Sequence, residues 1–180
     1  MSYNTTVINL WGGPSVRKST LAAKLYCLLK EERVSSELVR EYVKDLAWEG
    51  RKMGTYDQPM VLGNQIHSEA NKYGKVAVIV TDSPLMLGPF YQEYYHGTEY
   101  VSAMVKGHLE AARRNGVRYV DFMVPRTDAY DPEGRYENEA EALAIDEALR
   151  VFLIYHGIDY ETLPVNKHTQ ISRLRSAAKI

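Results

Sequence analysis

The chain has 180 residues, 45% of them apolar and 25% charged, with a net charge of −1 at neutral pH. That is an ordinary globular composition, long enough for one domain with a proper core. The near-zero charge excludes a general attraction to nucleic acid or to an anionic membrane. No apolar run is long enough to span a bilayer and no basic-then-apolar leader opens the chain, so the expectation is a soluble, cytoplasmic protein.

Residues 6–11 form an apolar run that reads as a buried strand. A Gly-Gly-Pro turn follows, and Lys18-Ser19-Thr20 opens a helical stretch over residues 21–32. The single cysteine, Cys27, lies within the apolar pattern of that helix and reads as a small core residue. A second strand is expected over 36–40, then a helix from Arg40-Glu41-Tyr42 to about Glu49, then a loop punctuated by Gly50 and Gly54. Asp57-Gln58-Pro59 starts a helix that carries Met60, Leu62, Ile66 and Ala70 toward a core and ends near Gly74.

Residues 76–80 are an unbroken aliphatic run, the pattern of a central strand covered on both faces, and Thr81-Asp82-Ser83-Pro84 ends it. The stretch 84–97 is rich in tyrosine (Tyr91, Tyr94, Tyr95) and mixes loop with short helix. A helix over 99–115 closes at Gly116, and a fourth strand over 117–124 stops at Pro125. A polar, lid-like loop at about 125–137 leads into a long helix over 138–155, ended by Gly157. A short fifth strand over 159–163 and a last helix over 167–178 complete the chain. Strands alternate with helices throughout, with no repeat or linker, which predicts a single α/β domain spanning 1–180 with a parallel sheet covered on both faces.

In such sheets ligands bind where the strands end. Three polar features meet there. The first is the loop Gly12, Gly13, Pro14, Ser15, Val16, Arg17, Lys18, Ser19 and Thr20. Strand, tight loop and helix N-terminus together present main-chain N–H groups to a polyphosphate; Lys18 would reach the terminal phosphates and Ser19 a magnesium ion. The pattern G-x-x-x-x-G-K-[ST] is met at Gly12, Lys18 and Ser19, while Arg17 stands where the second glycine belongs. Ser15 likewise occupies a position that often carries glycine. Arg17 would either obstruct the phosphates or turn outward and lay a second cation beside them.

The second feature is Glu41, after the second strand, which would accept the proton of an incoming hydroxyl or sit as a surface acid at a helix start. Alternation leaves only one of Arg40 and Glu41 facing the site. The third is Asp82, either an oxygen for the water shell of magnesium or a cap for the next turn. Arg126 and Arg135 flank the lid-like loop, where they would neutralise charge developing on a transferring phosphoryl group or pair with the loop's own acids. The tyrosines would stack on a ring or simply pack. The five histidines show no metal-ligand spacing, and the basic stripe Lys167, Arg173, Arg175 and Lys179 reads as solvated.

The loop Gly-Gly-Pro…Lys-Ser-Thr, the stretch Val-Arg-Glu-Tyr-Val-Lys-Asp-Leu-Ala-Trp-Glu-Gly-Arg, Thr-Asp-Ser-Pro-Leu and the late Pro…Gly-Arg loop resemble a group of small, phage-type P-loop kinases and ATPases. These look like relatives of the bacterial nicotinamide riboside kinase domain and, more distantly, of deoxynucleoside and polynucleotide kinases. The resemblance runs from Val7 to about Leu163. It implies a P-loop NTPase fold with sheet order 2-3-1-4-5, ATP and Mg2+ as cofactors, and Lys18, Ser19 and Asp82 in the roles given above. It also implies Glu41 as base and Arg126 and Arg135 as lid arginines. The phosphate acceptor would be a nucleoside, a nucleotide, or a modified base in DNA such as 5-hydroxymethyluracil. Family members usually read Gly-Pro-Gly-x-Gly-Lys-Ser, so Ser15 and Arg17 are this chain's departures. They open a second reading, a nucleotide-binding regulatory or partner-binding module with weakened catalysis. Oligomeric state stays open, a homo-oligomer included.

Overall fold

The computed structural model describes residues 4–51, 54, 56–127, 129–131 and 137–178. In chain order its elements are β1 (Thr6–Trp11), α1 (Lys18–Glu31), β2 (Ser36–Val39), α2 (Tyr42–Trp48), α3 (Gln58–Ala70) and β3 (Val78–Thr81). Then come α4 (Leu87–His96), α5 (Ser102–Arg114), β4 (Arg118–Met123), α6 (Glu139–Tyr155), β5 (Glu161–Thr162) and α7 (Lys167–Ala178). The strands form one sheet in the order β2-β3-β1-β4-β5, as the resemblance implies, with every neighbouring pair parallel, as the alternation predicts.

Parallel pairing demands a crossover between strands, and each crossover here carries helix. β1 lies in the middle, and its Val7, Ile8 and Leu10 are fully buried. Ile8 and Leu10 face Leu21, Leu25 and Leu29 of α1 and Leu174 of α7, with Val80 and Phe122 alongside. Trp11 and Met123 face the other way, against Leu62 of α3, Phe90 of α4, Val105 of α5 and Ile145 and Leu149 of α6. Each such side chain contributes roughly 1.5–3 kcal/mol on burial. Two helices thus cover one face and four the other, leaving the C-terminal ends of the strands open as an edge.

Several sequence expectations shift. The second strand stops at Val39, one residue early; the third runs Val78–Thr81, starting two residues late and ending one residue beyond its expected span; and α5 runs Ser102–Arg114, inside its expected span. The fifth strand shrinks to Glu161–Thr162 at the sheet edge. The tyrosine-rich stretch is mainly helix, with α4 running ten residues from Leu87. Tyr91 and Tyr95, one turn apart on it, stack with ring centroids 5.9 Å apart.

Cys27 is a correction: it is exposed. The buried positions of α1 are Leu21, Ala22, Leu25 and Leu29, and Cys27, two residues past Leu25, lies on the opposite side of a helix of roughly 3.6 residues per turn. The basic stripe of α7 is also paired rather than merely solvated. Arg173 forks onto Glu161 with bonds of 2.6 and 2.7 Å, and Arg175 meets Glu32 at 2.6 Å. Lys179 lies outside the described residues. The start of α6 follows from its sequence: Asn138 and Glu141 cap each other reciprocally, at 3.0 and 2.7 Å.

Candidate functional site

Between the end of β1 and the start of α1 the chain reverses within six residues, and its backbone shows how. Gly12 sits at φ +144° and Ser15 and Arg17 both at φ 65°. At Gly12 a Cβ would lie 2.7 Å from Cγ2 of Val16 and 3.3 Å from the carbonyl oxygen of Val124. Gly12→Ala is therefore expected to cost roughly 1–3 kcal/mol of stability in urea denaturation. A loss below about 0.5 kcal/mol, the range of a neutral surface change, would contradict this geometry.

Ser15 and Arg17 adopt the left-handed conformation without being glycine, at a cost of about 1 kcal/mol or more each. Arg17 is the residue before α1, with no side-chain bond capping the helix. Its side chain is exposed and turned outward into a groove shared with Thr20, Thr127, Lys167 and His168, so it does not plug the loop. The hydroxyl oxygen of Ser15 accepts the N–H of Asp131 at 2.8 Å, tying the loop after β4 onto this one. The ammonium group of Lys18 donates to the carbonyls of Gly12 and Gly13 at 2.7 and 2.8 Å, folding back across the loop mouth. The first helical hydrogen bond of α1 runs from Leu21 N–H to Arg17, so the N–H groups of Lys18, Ser19 and Thr20 have no partner within the helix. Such a helix start favours an anion.

Side chains the sequence reading missed hold this loop in place. Asp146, buried on α6, accepts the Gly13 N–H at 2.8 Å with one oxygen and Arg126 Nε at 2.7 Å with the other. Arg126 Nη2 then donates to the Pro14 carbonyl at 2.8 Å. Removing one partner of so buried a pair typically costs about 3–5 kcal/mol. Gly13 has no room for more: a Cβ would meet Oδ1 of Asp146 at 2.5 Å. The available signal was an acid on the apolar face of the long helix, four residues after Ala142 and three before Leu149. Below the loop, Asp121 of β4 accepts from Trp11 Nε1 at 2.7 Å and Asn9 Nδ2 at 2.8 Å. Burial pushes the Asp121 carboxyl up, against the pull of those two donors.

Of the other sequence candidates, Asp82 follows β3 at the same sheet edge; it is buried, and its Oδ1 meets no hydrogen-bond donor among the described residues. It does not cap the next helix, whose N-cap is Met86. Glu41 follows β2 and lines a small cleft of about 40 Å³ with Gln58, Gln65, Ser83 and Tyr91. Its neighbour Arg40 is exposed and approaches Asp45 at 3.9 Å, so only Glu41 turns inward, as alternation requires. Arg126 is held between α6 and the loop, with Nη1 buried and unpartnered among the described residues. Arg135 lies outside the described residues.

A parallel sheet with β1 at its centre, followed by a glycine turn, a lysine folded over it and an open helix N-terminus, is the architecture of the P-loop NTPases. The chain belongs to an AAA domain family, whose model matches residues 7–170. Its fold is similar to the crystal structure of APE1195 (TM-score 0.56, 18% identity, covering 99% of this chain and 97% of that one). It is similar also to that of NadR protein in complex with NR (TM-score 0.69, 15% identity, covering 98% of this chain and 53% of that one). The chain therefore spans about half the length of the NadR protein. No curated protein matches the sequence. Among the described residues no helix is long and apolar enough to cross a membrane.

Proposed function

We propose that the chain is an ATP-dependent phosphotransferase that moves the γ-phosphate onto a hydroxyl of a nucleoside, a nucleotide or a modified base in DNA. The observation that carries this is the 12–20 loop: a helix start whose own hydrogen-bond ladder begins at Leu21 N–H, with the Lys18 ammonium folded across the same mouth. The solved NadR protein in complex with NR has a related fold, which supports a small acceptor of nucleoside type. The groove beside the loop, about 880 Å³ and bordered by Arg17, Thr20, Thr127 and His168, has space for the nucleoside end of ATP.

The buried, unpartnered Oδ1 of Asp82 and the hydroxyl of Ser19 suit a magnesium ion, which keeps most of its waters and takes few protein oxygens. When bound, that ion would neutralise charge on the β- and γ-phosphates. The protein's own share is positioning. Lys18 leaves its two carbonyls for the phosphate oxygens. Glu41 takes the proton of the acceptor hydroxyl as that oxygen bonds to the γ-phosphorus and the bond to the β-phosphate oxygen breaks, releasing ADP. Arg126 offers to the transferring group its Nη1, which has no partner among the described residues. The cleft at Glu41 has space for about one water-sized group, so it takes the hydroxyl end of the acceptor and leaves the rest outside.

The test is transfer of labelled γ-phosphate across nucleosides, nucleotides and hydroxymethylated DNA. Glu41→Gln is expected to lower kcat by about 10²–10⁴ with nucleotide affinity unchanged; equal turnover would remove Glu41 from the mechanism. A second reading, a nucleotide-binding regulatory module, is favoured by the strained Ser15 and Arg17. ATP binding without transfer to any acceptor would select it.

A further inference from the structure

Three backbone positions in this loop depart from ordinary L-residue geometry, and only one of them, Gly12, is a glycine. Ser15 and Arg17 sit at φ 65°, where glycine would rest without strain. The two residues before Ser15, Gly13 and Pro14, are fixed from outside the loop. Asp146 takes the Gly13 N–H at 2.8 Å and Arg126 Nε at 2.7 Å, and Arg126 Nη2 holds the Pro14 carbonyl at 2.8 Å. One carboxylate therefore sets a donor and, through the guanidinium, an acceptor on consecutive residues, and the missing Cβ of Gly13 lets it come this close.

We propose that Asp146 is the positioning residue of the nucleotide site: by clamping Gly13 and, through Arg126, Pro14, it keeps Ser15 and Arg17 in the left-handed geometry that a triphosphate requires. The proposal rests on the reading of the 12–20 loop as a phosphate seat. It gives a physical reason why this chain tolerates two non-glycine residues at left-handed positions: the strain is held in place by an ion pair reaching from α6. An ordinary structural pair would stabilise the fold equally well whatever stands at 15 and 17. A clamp against strain would matter less once glycine relieves it.

A double-mutant cycle separates these. The dissociation constant of a fluorescent ATP analogue is measured for the wild type, Asp146→Asn, Ser15→Gly/Arg17→Gly, and all three changes together, each with its thermal midpoint. Asparagine keeps an oxygen for the Gly13 N–H but removes the charge facing Arg126. Asp146→Asn is expected to weaken binding about tenfold or more in the natural loop, and less than about threefold in the glycine loop, a coupling well within the range for contacting residues. Equal loss in both loops, or none in either, overturns the clamp, while falling midpoints in both are expected on either account. Absence of binding by the wild type would instead overturn the phosphate-seat reading, and the clamp with it. Should Asp146→Asn not fold, Asp146→Asn/Arg126→Gln, which removes both charges, is put through the same cycle with the same criteria.

Discussion

Lys18→Ala is expected to reduce phosphate transfer by at least about a hundredfold while leaving a folded protein. The side chain is half-buried, and its ammonium donates to two carbonyls of its own loop, Gly12 and Gly13, at 2.7 and 2.8 Å. Those bonds are worth about 1 kcal/mol or so each, since water replaces the donor at an open mouth. The cost to the fold is therefore small. The cost to transfer is not, because on the proposed mechanism Lys18 is the cation of this loop that meets the terminal phosphates. Removing one preorganised charge at a developing oxyanion typically costs about 10²–10³ in rate. Circular dichroism and the thermal midpoint report the fold, and labelled γ-phosphate transfer reports the activity. Wild-type transfer by the variant would refute the site.

The second large effect lies away from the loop. Glu69 of α3 is wholly buried, its Oε1 accepting the Tyr73 hydroxyl at 2.5 Å and its Oε2 unpartnered among the described residues. Tyr73 in turn meets Tyr119 of β4 at 2.7 Å and approaches His108 of α5 at 3.5 Å. Burial pushes the Glu69 carboxyl from 4.5 up to about 7, with the Tyr73 and Tyr119 hydroxyls and Lys72 opposing it and Asp121 adding to it. The folded state thus holds this proton more tightly than the unfolded state. The associated stability is fully present below about pH 4.5 and is lost as pH rises through about 7. The loss is on the order of 3 kcal/mol, a few degrees or more in Tm for a chain of this size. Glu69→Gln keeps a neutral acceptor for Tyr73 and should be the more stable protein at pH 8, with the advantage gone at pH 5. Parallel pH–stability curves for the two proteins would show that Glu69 is not the titrating group.

The legible parts of this chain are contiguous ones. Strand–loop–helix at 6–32 is written in one stretch, and the aliphatic run before Asp82 marks a central strand, so the parallel sheet and the loop follow from local pattern, while the sheet order comes from the resemblance. Asp146 escapes that reading because its partner Gly13 lies 133 residues away: its place on the apolar face of α6 marks it as buried but does not name what it binds. Arg126 shows the same gap from the other side. As sequence it is a lid cation; in the fold it donates to the Asp146 carboxylate and to the main-chain carbonyls of Pro14 in the loop and Ala142 on α6. Cys27 was misplaced by treating an apolar composition as a buried face, when the period of α1 points it outward. Arg17 could be read either way from sequence; in the fold its backbone is left-handed and its exposed side chain borders the groove beside the loop.

Calorimetric titration of the folded chain with ATP and magnesium tests the central claim most directly. The account predicts one ATP bound per chain, with binding lost in Lys18→Ala at unchanged thermal midpoint. A folded wild-type protein that takes up no ATP at millimolar nucleotide would contradict it.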